Sequence, residues 1–212
     1  MSDIIIIGGG GHAKVVISIL KKINQYNIIG YSSLSNEGNI LGVKYLGKDE
    51  DIIYEKKYKG LNVAIGIGQI DNLYTRKKIV ELYLDSEFKF PAIISPNAII
   101  NENVIIQNGT VVMDGVVINS HTKIGQFCII NTGANIDHDC NIDNYVHIAP
   151  GSTLSGEVRI SSGVFIGAGS TVVNSIEIGE NCFIGAGSLV AKDCFENKKY
   201  FGNPARGIKN AE

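Results

Sequence analysis

From Phe90 onward one aliphatic residue returns at every sixth position: Ile94, Ile100, Ile106, Val112, Ile118, Ile124, Ile130, Ile136, Ile142, Ile148, Leu154, Ile160, Ile166, Val172, Ile178, Ile184 and Val190. The register holds over 17 hexads. A six-residue period suits neither an α-helix nor a strand with one wet face. It fits a triangular coil in which each hexad forms one side and three hexads complete a turn. Four residues after each aliphatic position stands a small or β-branched residue, as at Ala98, Val104, Thr110, Val116, Cys128, Ala134, Val164, Ser170 and Ser188. The aliphatic residue then points into the prism and stacks on its counterparts, and the small one fills the space beside a corner. The period fixes the inward positions and leaves the handedness open.

Residues 1–85 follow another pattern, which divides the chain into a domain at 1–85 and a repeat domain at 86–212. Short apolar runs at 3–7, 26–31 and 62–65 read as strands. Residues 13–22 carry Val15, Val16, Ile19 and Leu20 at helical spacing, continued by Ile23, and 72–84 behaves alike. The alternation predicts a small Rossmann-like α/β domain with a parallel sheet. Its first strand runs into Gly8-Gly9-Gly10-Gly11-His12-Ala13, a strand, glycine turn and helix start of the form G-x-G-x-x-A. Such a turn lets backbone N–H groups approach a phosphate. A nicotinamide dinucleotide is its usual ligand. However, the second strand ends in Tyr31-Ser32-Ser33, where a ribose-binding acid belongs, and the domain is short for two mononucleotide-binding halves. A single nucleotide diphosphate fits better, with His12 donating to a phosphate or sugar hydroxyl; a purely structural turn is the competing reading.

With a net charge near −2 and no block of Lys or Arg, the chain offers no broad positive field for nucleic acid or a membrane surface. The isoleucine run at 4–7 is too short for a signal-peptide core or a membrane span, and a cytoplasmic location is expected. Cys128, Cys140, Cys182 and Cys194 all fall on the small inward position, which favours compact buried thiols over a zinc ligand, a disulfide or a nucleophile.

His121, His138 and His147 fall outside both inward positions, so they belong to corners or outer faces. His138 lies between Asp137 and Asp139, carboxylates able to orient its ring and raise its basicity, the arrangement of a general base; the alternative is a solvated surface histidine. His138 and His147 are half a turn apart and would meet only across a subunit boundary. That spacing argues against a three-histidine zinc site within one chain, and no metal is expected, though a site shared between subunits stays open. His121, one position off a full coil from His138, is read as its coil neighbour with a structural or solvent-facing role.

Together the glycine turn, Ala64-Ile65-Gly66-Ile67-Gly68, Asn131-Thr132-Gly133-Ala134, Asp137-His138-Asp139, His147-Ile148-Ala149-Pro150-Gly151 and Gly202-Asn203-Pro204-Ala205-Arg206 resemble the bacterial sugar O- and N-acyltransferases of the sialic-acid O-acetyltransferase and bacillosamine-pathway N-acetyltransferase group. The resemblance covers nearly the whole chain. It implies a homotrimer of left-handed parallel β-helices with active sites between subunits, acetyl-CoA as cosubstrate and a nucleotide-linked sugar as acceptor. His138 matches the general base and Asp139 the acid that strengthens it. Asn131 matches a position in the sugar pocket, and His147 a histidine that contacts acetyl-CoA from the neighbouring chain. Ala168 and Ala186, one coil apart, match backbone contacts to the CoA arm. Gly10, Gly11 and His12 match the nucleotide-sugar turn, with Gly66 and Ser33 also assigned to that pocket. One departure stands out: many members carry an Asp-Asp pair after the second strand, where this chain has Ser33-Leu34.

The resulting expectation is direct transfer of acetyl from acetyl-CoA to the amine of a nucleotide-linked 4-amino-4,6-dideoxy sugar, in surface glycan synthesis. His138 takes the proton and backbone N–H groups stabilise the oxyanion. O-acetylation of sialic acid or a related sugar is the closest rival, and a non-catalytic nucleotide-sugar-binding β-helix the rival from another class.

Overall fold

The computed structural model describes residues 1–69 and 73–208. It divides into two compact units, Met1–Pro96 and the chain from Asn97 onward.

The first unit runs β1 (Ser2–Ile7), α1 (Gly11–Ile23), β2 (Tyr26–Ser32), β3 (Tyr45–Gly47), α2 (Asp49–Ile53), β4 (Asn62–Ile65) and α3 (Leu73–Leu84). Its sheet has the order β3-β2-β1-β4, every pair parallel. Central β1 is covered on both faces, with Ile4, Ile5, Ile6 and Ile7 each 0% exposed. That is why it reads as an unbroken aliphatic run and not as an alternation. The α1 face that packs inward is Ala13, Val16, Ile17, Ile19 and Leu20. Val15, which the spacing assigned to that stripe, is 38% exposed. The chain leaves α1 through Asn24 in the left-handed conformation, with Lys21 and Lys22 at the negative end of the helix dipole. The sequence reading missed β3 and α2, which are too short to show a period. Asn72, expected to start the last helix, lies outside the described residues.

The second unit is a three-sided parallel β-helix of two-residue strands. One face stacks Val111–Val112, Ile129–Ile130, His147–Ile148, Phe165–Ile166 and Phe183–Ile184. The next stacks Ile99–Ile100, Val117–Ile118, Asn135–Ile136, Thr153–Leu154, Thr171–Val172 and Leu189–Val190. The third stacks Ile105–Ile106, Lys123–Ile124, Asn141–Ile142, Arg159–Ile160 and Glu177–Ile178. Each partner lies three hexads on, as in Ile130↔Ile148, so the predicted period is the coil itself. From Val112 to Val190 every sixth residue is 2% exposed or less. Burying such a side chain contributes about 1.5–3 kcal/mol. Only the opening coil is less covered, with Ile100 at 36%.

The small corner residues have a polar task as well as a steric one. Thr110, Thr122, Ser152 and Ser170 each donate a hydroxyl to a turn carbonyl further along the chain, at 2.7, 2.8, 2.9 and 2.9 Å. Cys128 and Cys140 do the same with thiols at 3.0 and 3.3 Å. A carbonyl shielded from water needs a partner, so where this position carries a hydroxyl or thiol it satisfies one, and at Val116, Ala134 and Val164 it only fills space. Burial pushes the Cys140 thiol up to about 11, which suits this structural role. Cys194 departs from the expected pattern. The last coil is two residues short, Phe183 pairing with Lys199, so Cys194 lies opposite Ile178 and occupies an aliphatic place. It is still buried, and its thiol is raised to about 12.

Candidate active site

Asp139 adopts φ +58° at a corner of the β-helix, the turn that follows Asn135–Ile136. That turn throws His138 outward, where its Nδ1 donates to Asp139 Oδ2 at 2.8 Å. With Nδ1 holding the proton, Nε2 presents its lone pair, the tautomer a general base needs. The hydrogen bond to Asp139 raises the imidazole above its ordinary value, helped by the charges of Asp137, Asp139 and Glu157 and opposed by partial desolvation. Asp137 works differently: its Oδ1 accepts the backbone N–H of His138 at 2.8 Å and so pins the turn.

Two further features hold this corner, and both were readable by counting from coil to coil. Asn101 Nδ2 donates to Asn119 Oδ1 at 2.7 Å, and Asn119 Nδ2 donates to Asp137 Oδ1 at 2.9 Å. This amide ladder, with Asn119 as the main cause, keeps the Asp137 carboxyl below the usual carboxylate range. One coil beyond His138 lies Gly156, against whose backbone the imidazole rests. A Cβ on Gly156 would come within 2.7 Å of both Cε1 and Nε2 of His138. His121 is not the coil neighbour of His138. Asp139 N–H bonds to Ser120 O and Glu157 N–H to His138 O, so the coil-to-coil stacking sets His121 beneath Asp139.

His147 lies on another face, with Asn131. Asn131 Nδ2 is 3.1 Å from His147 Nε2, and the ring packs edge-on against Phe165 at 5.1 Å. The ring is only 6% exposed, more enclosed than an outward position implies. Within one chain, then, the fold pairs Asn131 with His147 and keeps both away from the His138 corner.

A second edge of the β-helix has no side chains at its left-handed positions. Gly115, Gly133, Gly151, Gly169 and Gly187 follow one another in successive coils with φ between 66° and 72°. A Cβ on Gly133, Gly151, Gly169 or Gly187 would meet nothing within 4 Å. Beside them Ala168 and Ala186 are exposed, and their N–H groups have no acceptor among the described residues. At the matching place earlier in the chain the Thr132 N–H is taken by Asn131 Oδ1 at 2.8 Å. A smooth track with open donors fits an extended chain carrying amide carbonyls, which is what the pantetheine arm of acetyl-CoA is.

In the first unit the strand order reverses between β1 and β4, and the glycine turn lies at that switch point. Gly66, just after β4, packs so tightly that a Cβ would come 2.8 Å from Ala13 Cβ, which holds the start of α1 against the sheet. Gly10 caps α1 without a side-chain hydrogen bond, and Cβ atoms on Gly10 and Gly11 would meet nothing within 4 Å. The positive end of the helix therefore faces open space, as anion binding requires. His12 occupies the first turn of α1, and the Ser33 hydroxyl comes 3.2 Å from where a Gly9 Cβ would stand. Among the described residues no three of His, Cys, Asp and Glu converge as metal ligands, and no helix is long and apolar enough to cross a membrane.

The PglD N-terminal domain family matches residues 3–83, and the bacterial transferase hexapeptide family of six repeats matches 121–156 and 157–192. Among solved structures, perosamine N-acetyltransferase from Caulobacter crescentus, a His-to-Asn variant bound to CoA and GDP-perosamine, is 31% identical over 99% of this chain and 98% of that one, with a TM-score of 0.91. The acetyltransferase domain of PglB from Neisseria gonorrhoeae, bound to acetyl coenzyme A, is 29% identical over 98% and 99%, with a TM-score of 0.91. WeeI from Acinetobacter baumannii is 26% identical over 98% and 100%, with a TM-score of 0.86. No curated protein sequence matches. The architecture expected from the sequence, an α/β domain followed by a left-handed parallel β-helix, is the one found.

Proposed function

The chain belongs to the bacterial sugar acyltransferases that join a PglD-type N-terminal domain to hexapeptide repeats, and from that premise we propose that it transfers acetyl from acetyl-CoA to the amino group of a nucleotide-linked 4-amino-4,6-dideoxy sugar. The observation that carries the reading is the exposed His138 imidazole, its Nδ1 held by Asp139 at 2.8 Å, which leaves Nε2 as the basic nitrogen.

Acetyl-CoA supplies the acyl group as a thioester, its arm lying along the glycine edge with Ala168 and Ala186 donating backbone hydrogen bonds. The acceptor amine attacks the thioester carbonyl, and His138 Nε2 takes the proton it loses. The new C–N bond replaces the C–S bond, and the proton on His138 passes to the departing sulfur, which returns the imidazole to its starting form. Asp139 remains a carboxylate throughout and stabilises the imidazolium between the two transfers. Phosphates of the nucleotide lie on the turn at Gly10, Gly11 and His12, with Gly66 and Ser33 lining that pocket.

His138 and the Asn131–His147 pair lie on different sides of one chain. We therefore assign the working unit to a homotrimer in which one subunit contributes His138 and its neighbour contributes His147 toward acetyl-CoA and Asn131 toward the sugar. The reaction belongs in the cytoplasm, where acetyl-CoA and nucleotide sugars are made.

The test is incubation with acetyl-CoA and UDP-, GDP-, dTDP- and CMP-linked sugars, followed by product mass and base lability. A base-stable product heavier by one acetyl group, formed from a 4-amino sugar, is expected. A base-labile ester would make the chain an O-acetyltransferase, and no thiol release with any acceptor would overturn the catalytic reading.

A further inference from the structure

We propose that Glu37 reads the ribose of the nucleotide, so that the turn after β1 accepts a ribonucleoside diphosphate in preference to its 2′-deoxy counterpart. The inference rests on the nucleotide-sugar reading above and specifies the pentose of the nucleotide, which that reading leaves open.

In a doubly wound sheet the acid that grips a ribose stands at the end of the second strand, beside the glycine turn. Here β2 ends in Ser32 and continues into Ser33-Leu34, so along the sequence the acid is missing. In space it is present. The fully buried Tyr31 hydroxyl accepts the N–H of Glu37 at 2.9 Å and donates to the carbonyl of Gly38 at 2.9 Å. Asn36 Oδ1 accepts the N–H of Gly38 at 2.9 Å. These bonds fold residues 36–38 back onto β2 and bring Glu37 to the turn, its Cγ 3.1 Å from where a Gly9 Cβ would stand. Gly9 thus lacks a side chain because Glu37, Tyr31 and Ser33 occupy the space.

The chemistry beside that turn selects the ligand part. A carboxylate is a poor neighbour for phosphate, which the open N-terminus of α1 attracts instead. A carboxylate accepts and never donates when ionised, and the 2′,3′-diol of a ribose is the part of a nucleotide that offers two adjacent donors. Ser35 Oγ donates to Glu37 Oε1 at 2.6 Å, which orients the group and leaves Oε2 to accept from a ligand. A 2′-deoxyribose keeps one donor of the pair. A hydrogen bond to a charged group contributes enough for about a tenfold or greater preference.

Calorimetric titration of the full chain with GDP, 2′-deoxy-GDP, UDP and 2′-deoxy-UDP tests this. The wild type is expected to prefer each ribonucleotide by about tenfold or more, and Glu37→Gln to bring both members of a pair within about twofold. Glu37 is exposed, so neither Glu37→Gln nor Glu37→Ala threatens folding. A ribose preference that survives in both variants, or a wild type that binds both sugars equally, overturns the role of Glu37 and leaves the acetyltransferase reading standing. Failure of the wild type to bind any nucleoside diphosphate overturns both.

Discussion

Along one edge of the β-helix the left-handed positions are Gly115, Gly133, Gly151, Gly169 and Gly187; along another they are Asn103, His121, Asp139, Glu157 and Ser175, with φ between 58° and 63°. The backbone angles are nearly the same. A residue with a Cβ costs roughly 1–2 kcal/mol in this conformation, and the second edge bears that cost in five successive coils. Conformation alone therefore does not explain why the first edge is all glycine. Crowding within the chain does not explain it either. At Gly109, on the third edge, a Cβ would run into the Phe127 ring, whereas at Gly133, Gly151, Gly169 and Gly187 it would meet open space. On the function proposed above, what differs is the use of the edge: one stays bare for the CoA arm, and the other carries the base and the groups that hold it.

The largest expected effect lies on the polar edge. His138→Ala should lower kcat by about 10²- to 10⁴-fold, the usual contribution of a general base, with the KM for acetyl-CoA little changed because the imidazole moves a proton and does not hold the CoA arm. Steady-state kinetics with both substrates varied would check it; full turnover in the variant would remove the distinction between the edges. Gly156→Ala comes next. Its Cβ would press on the imidazole at 2.7 Å and turn Nε2 away, and misplacement of a catalytic group by about an ångström costs about a hundredfold. Gly156 has no positive φ and is buried, so circular dichroism should first confirm that the variant folds.

The two edges also mark how far the sequence could be read. The period exposed every inward residue from Val112 to Val190, because a coil that repeats exactly every three hexads imposes the same demand on each turn. It failed at Cys194, where a shortened coil moves the register, since a hexad count has no means of sensing missing residues. The pairing of the His138 ring with a flanking acid was legible in Asp137-His138-Asp139, and Asp139 is the acid that makes it. Gly156, Asn119 and the glycine edge needed only the same count carried across coils instead of along one. Glu37 was not legible, because its approach to Gly9 depends on Tyr31 folding a loop back, an event with no periodic signature.

A smaller effect is expected on the bare edge. Gly169→Asn places a residue tolerant of the left-handed conformation where a Cβ meets no atom of the chain, so the thermal midpoint should stay within a few degrees. The KM for acetyl-CoA should nevertheless rise about tenfold as the track is blocked, with kcat little changed. The same change at Ser175, Ser175→Asn on the polar edge, is the control and should leave that KM alone. Equal effects at the two sites would show that glycine at 169 is there for the backbone and not for a ligand.

The smallest effect separates charge from conformation. His138 is held above its ordinary value of 6.5, chiefly by the hydrogen bond to Asp139. A general base works when neutral, so kcat/KM should fall as pH drops through that raised value, giving an acidic limb centred above 6.5. Asp139→Asn keeps a side chain suited to φ +58° and removes the carboxylate, which should move the limb toward lower pH while also lowering the maximum. The acceptor amine titrates too, but identically in both enzymes, so the difference between their profiles belongs to the imidazole. Linkage gives the same sign for stability: a raised histidine stabilises the fold below its unfolded pKa and loses that contribution as pH rises through the folded one. The exposed ring makes that stability change small, so the kinetic limb is the sensitive measure. A limb that stays in place in Asp139→Asn would mean the carboxylate holds the corner's shape and not the base's proton.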